Sequence, residues 1–247
     1  MQCVWGTSAQ CLKIFKAVQY TNPMVNLTFD QHGLNIMSMD GSKTSLVRLR
    51  LQPDFFTSYS CSTSVIIGVY TEMVVNILSK AKKSSVVWNA TDDVLSITFV
   101  NNDQKTIFSL RGIDIEEDHL DIPELEDDCA IQVRDAVLRE WMDKVLMTKG
   151  DVSFQLTENT FVCKSNSIDM GTIQHTEPIG GDRVEKKAHR NDVDITLSYH
   201  STKSMAVFSG CGDTCFVGFS NEQPSRLKVP LGTGSYLCVY VAPKIVD

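Results

Sequence analysis

The chain is written twice, and this constrains its fold more than any single motif. Laid over itself at an offset of about 127 residues, it brings like elements together, the mark of an internal duplication rather than of a short-period solenoid. CLKIFKAV places Cys11, Ile14, Phe15 and Val18 at helical spacing, and VLREWMDKV does the same with Leu138, Trp141, Met142 and Val145. Each predicted helix runs into a hairpin. Val25, Leu27 and Phe29 alternate in the first half, and Val152, Phe154 and Leu156 alternate in the second. A further helix follows in each half. Thr71 to Lys83 carries Val74, Ile77, Leu78 and Ala81 on one face, whereas its counterpart at Tyr199 to Ser209 is only weakly periodic. Alternating strands close both halves, with Leu95, Ile97 and Phe99 matching Cys215, Val217 and Phe219 before a last strand at Leu237, Val239 and Val241.

Antiparallel strand runs with two helices per half predict an α+β chain of two similar domains, helices covering one side of sheets. We expect domains at 1–112 and 129–247. Between them, 113–128 is rich in acids, contains Pro123 and has no clean period, so it reads as a solvated connector. A second irregular stretch, His175 to Asp192, holds Gly180, Gly181 and the charged run VEKKAHR, and reads as a surface loop.

Composition bounds the function classes. No apolar run is long enough to span a bilayer, and the amino terminus lacks a basic stretch followed by an apolar one, so a folded intracellular protein without a membrane partner is expected. Eight scattered cysteines on apolar positions suit reduced, buried thiols better than a disulfide framework. The sequons at Asn26 and Asn89 fall in strand context and imply no glycosylation. A net charge of -7 repels nucleic acid overall, but its distribution matters. The predicted helices, taken as Ala9 to Tyr20, Thr71 to Lys83, Arg134 to Lys149 and Tyr199 to Ser209, hold roughly ten Lys or Arg against about four acids. Such a chain meets a polyanion only through its helical surface.

Motifs that would carry chemistry are weak. GSKT at Gly41 to Thr44 lacks the upstream glycine of a phosphate-binding loop. The acids Asp114, Glu116, Glu117, Asp118 and Asp121 have no nucleophile or orienting base nearby, and a solvated linker explains them better than a magnesium site. Cys211 and Cys215 lack a second pair to complete a zinc site. The histidines His32, His119, His175, His189 and His200 fall mostly in polar turns and loops without a ligand pattern. Neither an enzyme nor a cofactor is expected.

Three segments, MDGSKTSLV from Met39, DIPE around Pro123 and VAPKI near the end, resemble the sliding clamps of the proliferating cell nuclear antigen (PCNA) family, and the likeness runs through the chain in order. The resemblance implies one subunit of a ring of three around double-stranded DNA, with sheets outside and helices inside. It implies a partner groove at Met39, Lys43, Thr44 and Leu46, then Leu120, Ile122 and Pro123, with Pro224, Tyr240, Ala242, Pro243 and Ile245. A partner's short helical turn would bury aliphatic and aromatic anchors there. The family commonly has a bulky apolar residue where Thr44 stands, so a shallower groove is expected.

The implied DNA-facing residues are Lys13, Lys16, Lys80, Lys83, Arg139, Lys144 and Lys203, acting as diffuse charge without base readout. Two family lysine positions are Asn76 and Ser79 here. The implied subunit interface pairs the strand near Lys105, Phe108 and Leu110 with the strand near Ile168, Met170 and Ile173, because only a head-to-tail contact generates three-fold symmetry. The alternative reading makes Phe108 a core residue of its own domain.

The function so implied is that of a homotrimeric processivity factor, placed on DNA by an ATP-driven clamp loader and tethering DNA polymerase and other proteins that carry PCNA-interacting peptides, in the nucleus or a viral replication compartment. Two alternatives share some of its features. One is a subunit of a heterotrimeric checkpoint clamp, and the other a monomeric or dimeric processivity factor that does not encircle DNA.

Overall fold

The computed structural model describes residues 1–81, 84–101, 104–116 and 126–244. The first half runs β1 (Gln2–Trp5), α1 (Ser8–Thr21), β2 (Met24–Asp30), β3 (Gly33–Met39), β4 (Ser45–Leu51), β5 (Ser58–Ser60), β6 (Val65–Tyr70), α2 (Thr71–Leu78), β7 (Ser85–Ala90), β8 (Val94–Asn101) and β9 (Gln104–Arg111). The second runs β10 (Cys129–Arg134), α3 (Asp135–Val145), β11 (Val152–Leu156), β12 (Thr160–Ser167), β13 (Gly171–Pro178), β14 (Val184–His189), β15 (Val193–Leu197), α4 (Tyr199–Ser209), β16 (Thr214–Phe219), β17 (Ser225–Gly232) and β18 (Ser235–Val241). The order of strands and helices is the same in both. Gln2 to Cys129 and Ser8 to Asp135 are each separated by 127 positions, so the offset read from the sequence is the offset of the fold.

Strand pairing repeats as well, antiparallel throughout. β1 lies between β5 and β7, as β10 lies between β14 and β16. β2 lies between β3 and β6, as β11 lies between β12 and β15. β9 closes one border of the sheet β5-β1-β7-β8-β9, and β13 closes one border of β13-β12-β11-β15. By contacts the chain divides into two compact units. One comprises the described residues of Met1–Gly41, Val47–Leu120 and Pro230–Leu237; the other comprises those of Ser42–Leu46, Asp121–Val229 and Cys238–Asp247. Each half of the chain thus lends a short piece to the unit built mainly from the other half.

The predicted alternation explains each core. Val25, Leu27, Phe29, Leu95, Ile97 and Phe99 are buried in the first unit, and Val152, Phe154, Leu156, Cys215, Val217 and Phe219 in the second. α1 begins where the Thr7 hydroxyl accepts from the Gln10 amide at 3.2 Å, and it buries Cys11, Ile14, Phe15 and Val18. Phe15 meets Trp5 and Trp88 there, with Phe55 and Phe56 packed edge-on against Trp5. In the second unit Trp141 of α3 stacks on Phe161 at 4.7 Å, and Phe154 and Phe219 complete the cluster. Seven cysteines are buried thiols and Cys61 is half-buried, all eight unbridged. No helix among the described residues is long and apolar enough to cross a membrane.

Three expectations are corrected. α2 ends at Leu78 and not at Lys83, because the Ser79 hydroxyl bonds back to the Asn76 carbonyl and the amides of Lys80 and Ala81 turn tightly onto Ile77 and Leu78. The stretch from His175 to Asp192 is no loop; it holds the end of β13 and all of β14. β14 escaped notice because, as an edge strand, it buries only Val184 and carries charge elsewhere, the usual protection of an exposed border. His175 and His189 therefore lie in strands and His200 in a helix, not in turns. α4 is weakly periodic because Ser201, Thr202, Ser204 and Ser209 share its buried face with Met205 and Phe208.

Because Trp141 is fully buried in the second unit's aromatic cluster, Trp141→Ala should cost about 3–5 kcal/mol of stability. A urea titration followed by far-UV circular dichroism measures it, with Trp141→Phe expected to lose less.

Candidate functional site

The helical surface is less basic than its sequence implied. Within the observed helices the bases are Lys13, Lys16, Arg139, Lys144 and Lys203, and the acids are Glu72, Asp135, Glu140 and Asp143. The excess sits at helix ends instead. Lys80 lies in the turn after α2, Arg134 caps α3, and Lys149 follows it in a left-handed conformation. Lys83 is outside the described residues.

α1 alone presents exposed lysines, Lys13 and Lys16, on a helix without an acid. On α3 both candidates are partnered. Arg139 pairs with Asp135 at 3.1 Å, which holds the guanidinium even more firmly charged, and Lys144 pairs with Glu140 at 2.7 Å. Glu140 also receives Arg183 at 2.6 Å, and these two cations hold its carboxyl below the usual range. Lys203 is half-buried over the Tyr199 ring, 5.6 Å from its centre.

The described part of the predicted groove gathers mainly in the second unit. Lys43 takes a left-handed turn conformation at φ 57°, and both it and Thr44 are exposed, while Leu46 is buried. The Ala242 amide donates to the Thr44 carbonyl at 2.8 Å, which lays the carboxy-terminal segment along this turn. Tyr240, Ala242 and Pro243 are half-exposed, and Pro224 is exposed in the turn before β17. Met39 ends β3 in the first unit, its carbonyl accepting from the Asn22 side chain. Leu120, Ile122, Pro123 and Ile245 lie outside the described residues.

Beyond Ala242 the chain is pinned again. The Lys244 amide donates to the Thr196 carbonyl at 2.7 Å and its ammonium pairs with Asp151 at 2.5 Å. Here a pocket of about 620 Å³ opens, walled by Ile195, Thr196 and Pro243 together with Asp194, Asn221, Glu222 and Lys244. Of these only Pro243 was named from sequence. The others come from β15, from a polar turn and, for Lys244, from the carboxy-terminal segment, and no periodicity marks them.

The two predicted interface strands are both sheet borders. Along β9, Lys105 is exposed, Phe108 and Leu110 are half-buried, and Phe108 packs on Phe99 of its own sheet at 5.4 Å. Ile107, unmarked in the sequence reading, is the exposed apolar residue of that strand at 55%. On β13, Ile173 is half-exposed. Ile168 and Met170 are exposed but sit in the turn between β12 and β13, not in the strand as expected.

Residues 5–120 match the model of the proliferating cell nuclear antigen N-terminal domain. A proliferating cell nuclear antigen 2 of Plasmodium falciparum is 26% identical over 95% of both chains. A probable DNA polymerase sliding clamp of Autographa californica nuclear polyhedrosis virus is 23% identical over 98% of this chain and 95% of its own. The crystal structure of the Entamoeba histolytica proliferating cellular nuclear antigen superposes with a TM-score of 0.89 at 20% identity, covering 99% of this chain and 98% of that one. Along nearly its whole length the chain is similar to PCNA-family sliding clamps.

The connector read as freely solvated is tied down at both described ends. Ile113 bridges to Gly68 of β6, and the Asn26 side chain donates to the Ile115 carbonyl. A Cβ at Gly68 would fall 2.1 Å from the Ile113 carbonyl oxygen, so only glycine admits the connector there. The far end lies against a glycine too. Asp127 fits over Gly218 of β16, where a Cβ would come within 2.2 Å of its carboxylate, and it pairs with Arg226 at 2.5 Å. Glu126 pairs with Arg190.

Asp128 accepts from the Asn191 side chain at 2.8 Å and from the Ser220 hydroxyl and Asn221 amide at 3.0 Å each. Those bonds lower its carboxyl below the ordinary value, whereas burial raises that of Asp127 in spite of Arg226. The two acids thus act oppositely on stability. Asp128, with its folded-state value depressed, contributes stability that is present above about pH 4 and lost as pH falls through its folded-state value. Asp127 costs stability when ionised and is relieved by acid. Asp128→Asn should therefore lower stability at neutral pH and flatten its fall below about pH 4, as read from urea midpoints at a series of pH values.

Proposed function

We propose that the chain is a non-enzymatic DNA sliding clamp: three copies close head to tail into a ring around duplex DNA and tether a polymerase and other replication and repair proteins to it. The observation that carries this reading is the family likeness along the whole chain combined with two sheet borders, β9 and β13, left for pairing with a neighbouring copy. Nothing in the mechanism requires a reacting group. A partner held at the groove by a short apolar helical turn rebinds its template intramolecularly, so modest peptide affinity becomes long residence on DNA. Three equivalent grooves let one ring hold several partners. A nuclear site of action, or a viral replication compartment, follows from the replication role, and an ATP-driven loader would supply the opening of the ring.

The charge pattern suits sliding. Lys13 and Lys16 lie exposed on α1, a helix that holds no acid of its own, and offer phosphate contacts, while the charges of Arg139 and Lys144 are offset by carboxylates four residues earlier. No bidentate base contact is needed, and a ring that read bases would stop on them.

The mass of the purified chain in solution, by light scattering at low and high salt, tests the ring directly. We expect three subunits in both salts, and one subunit for Ile107→Asp combined with Ile173→Asp, which place charge on each border. A wild-type monomer would point to a mixed checkpoint-type ring or to a non-encircling factor. Lys13→Ala with Lys16→Ala should weaken duplex binding and reduce its log-log salt slope by about one per lysine, measured by fluorescence anisotropy across salt. Arg139→Ala should change that slope less, since Asp135 already neutralises the guanidinium.

A further inference from the structure

The described end of the connector and the pocket beside the carboxy-terminal segment share one residue, Asn221. Its amide donates to the Asp128 carboxylate at 3.0 Å, its side-chain oxygen accepts from the Asp194 amide at 3.0 Å, and its side-chain nitrogen donates to the Asp192 carbonyl at 2.9 Å. Asp194, Asn221 and Glu222 are themselves walls of the pocket that Pro243 closes. Asp128 grips the other side of this junction as well. Its backbone carbonyl accepts from the Arg190 amide at 2.7 Å, and its second carboxylate oxygen accepts from Asn191. The connector's end, the turn before β15 and the turn before β17 are therefore joined through two side chains.

We propose that Asp128, acting through Asn221, is a positioning residue for partner binding: it fixes the connector's exit relative to the pocket wall so that a bound peptide finds both in register. The inference rests on the groove reading above and adds a residue that touches no partner. Its physical basis is preorganisation. A peptide that must hold connector and pocket together loses affinity if the junction is loose in the free protein, because ordering it is then charged to binding. A carboxylate that receives two side-chain donors and one backbone amide from two separate turns removes that freedom beforehand.

The test uses the full chain and a fluorescent synthetic peptide bearing one aliphatic and two aromatic anchors in a single helical turn, titrated by anisotropy. Asp128→Ala should weaken binding about tenfold, since it removes acceptors for Ser220, Asn221 and Asn191 together. Asp128→Asn should bind within about twofold of wild type, because one amide oxygen still receives Ser220 and Asn221 while a flipped Asn191 accepts from the new amide. Asn221→Ala keeps the bond to Asp128 but cuts the pocket wall loose, and should fall close to Asp128→Ala. It also decides the matter if Asp128→Ala does not fold.

Pro243→Glu, which charges the pocket itself, separates the two readings. If it abolishes binding while Asp128→Ala and Asn221→Ala bind as wild type, the groove stands and the positioning role is overturned. If Pro243→Glu also binds as wild type, the groove reading fails and takes the inference with it. Equal losses in Asp128→Asn and Asp128→Ala would mean that charge, not hydrogen-bonded position, matters, which also overturns the proposal.

Discussion

The structure depends on the closure of a short first strand in each half by partners far along the chain. β1 pairs Cys3 with Tyr59 on one side and with Trp88 on the other, and β10 is flanked in the same way by β14 and β16. Four residues of β1 thereby join strands more than fifty and more than eighty positions away, and α1 follows it directly, so the helix inherits its place from that pairing. Such closures are costly in chain entropy, and buried tryptophans offset the cost. Trp5 and Trp88 meet at 5.2 Å across neighbouring strands, and Trp141 does the corresponding work against Phe161 from a helix. The duplication survives as topology although the aromatic residues occupy different elements in the two halves.

Charge and position divide the work of the surface. α1 carries two exposed lysines and no acid of its own, while α3 balances each base with a carboxylate four residues earlier. Those i,i+4 pairs stabilise an exposed helix by only a few tenths of a kcal/mol each, and with Asp143 they leave α3 one acid richer than its bases.

The connector illustrates how a segment can be polar in sequence and ordered at both described ends. Gly68 and Gly218 lie in the strands β6 and β16, and each admits the connector's approach to its backbone where any side chain would collide. Around Gly218 the acids that suggested a solvated tether are instead spoken for, Asp127 by Arg226 and Asp128 by three donors. Acidic composition alone cannot separate these situations, because a carboxylate in water and one satisfied by amides have the same sequence signature.

By itself the sequence determined the duplication, the faces of α1 and α3 and the buried positions of most strands, since apolar spacing of 3.6 or 2 residues is a local consequence of helix and strand geometry. It also carries the resemblance to the PCNA family, through short segments such as VAPKI and the order of elements. Only the tertiary structure decided where α2 stops, that VEKKAHR is an edge strand, and that a serine-rich face can bury α4. It alone decided that Arg139 and Lys144 are partnered, that Asp194, Asn221 and Glu222 wall the pocket beside Pro243, and that Asp128 reaches Asn221 across 93 positions. These depend on which residues meet through space, and a hydrogen bond between distant turns leaves no periodic trace along the chain.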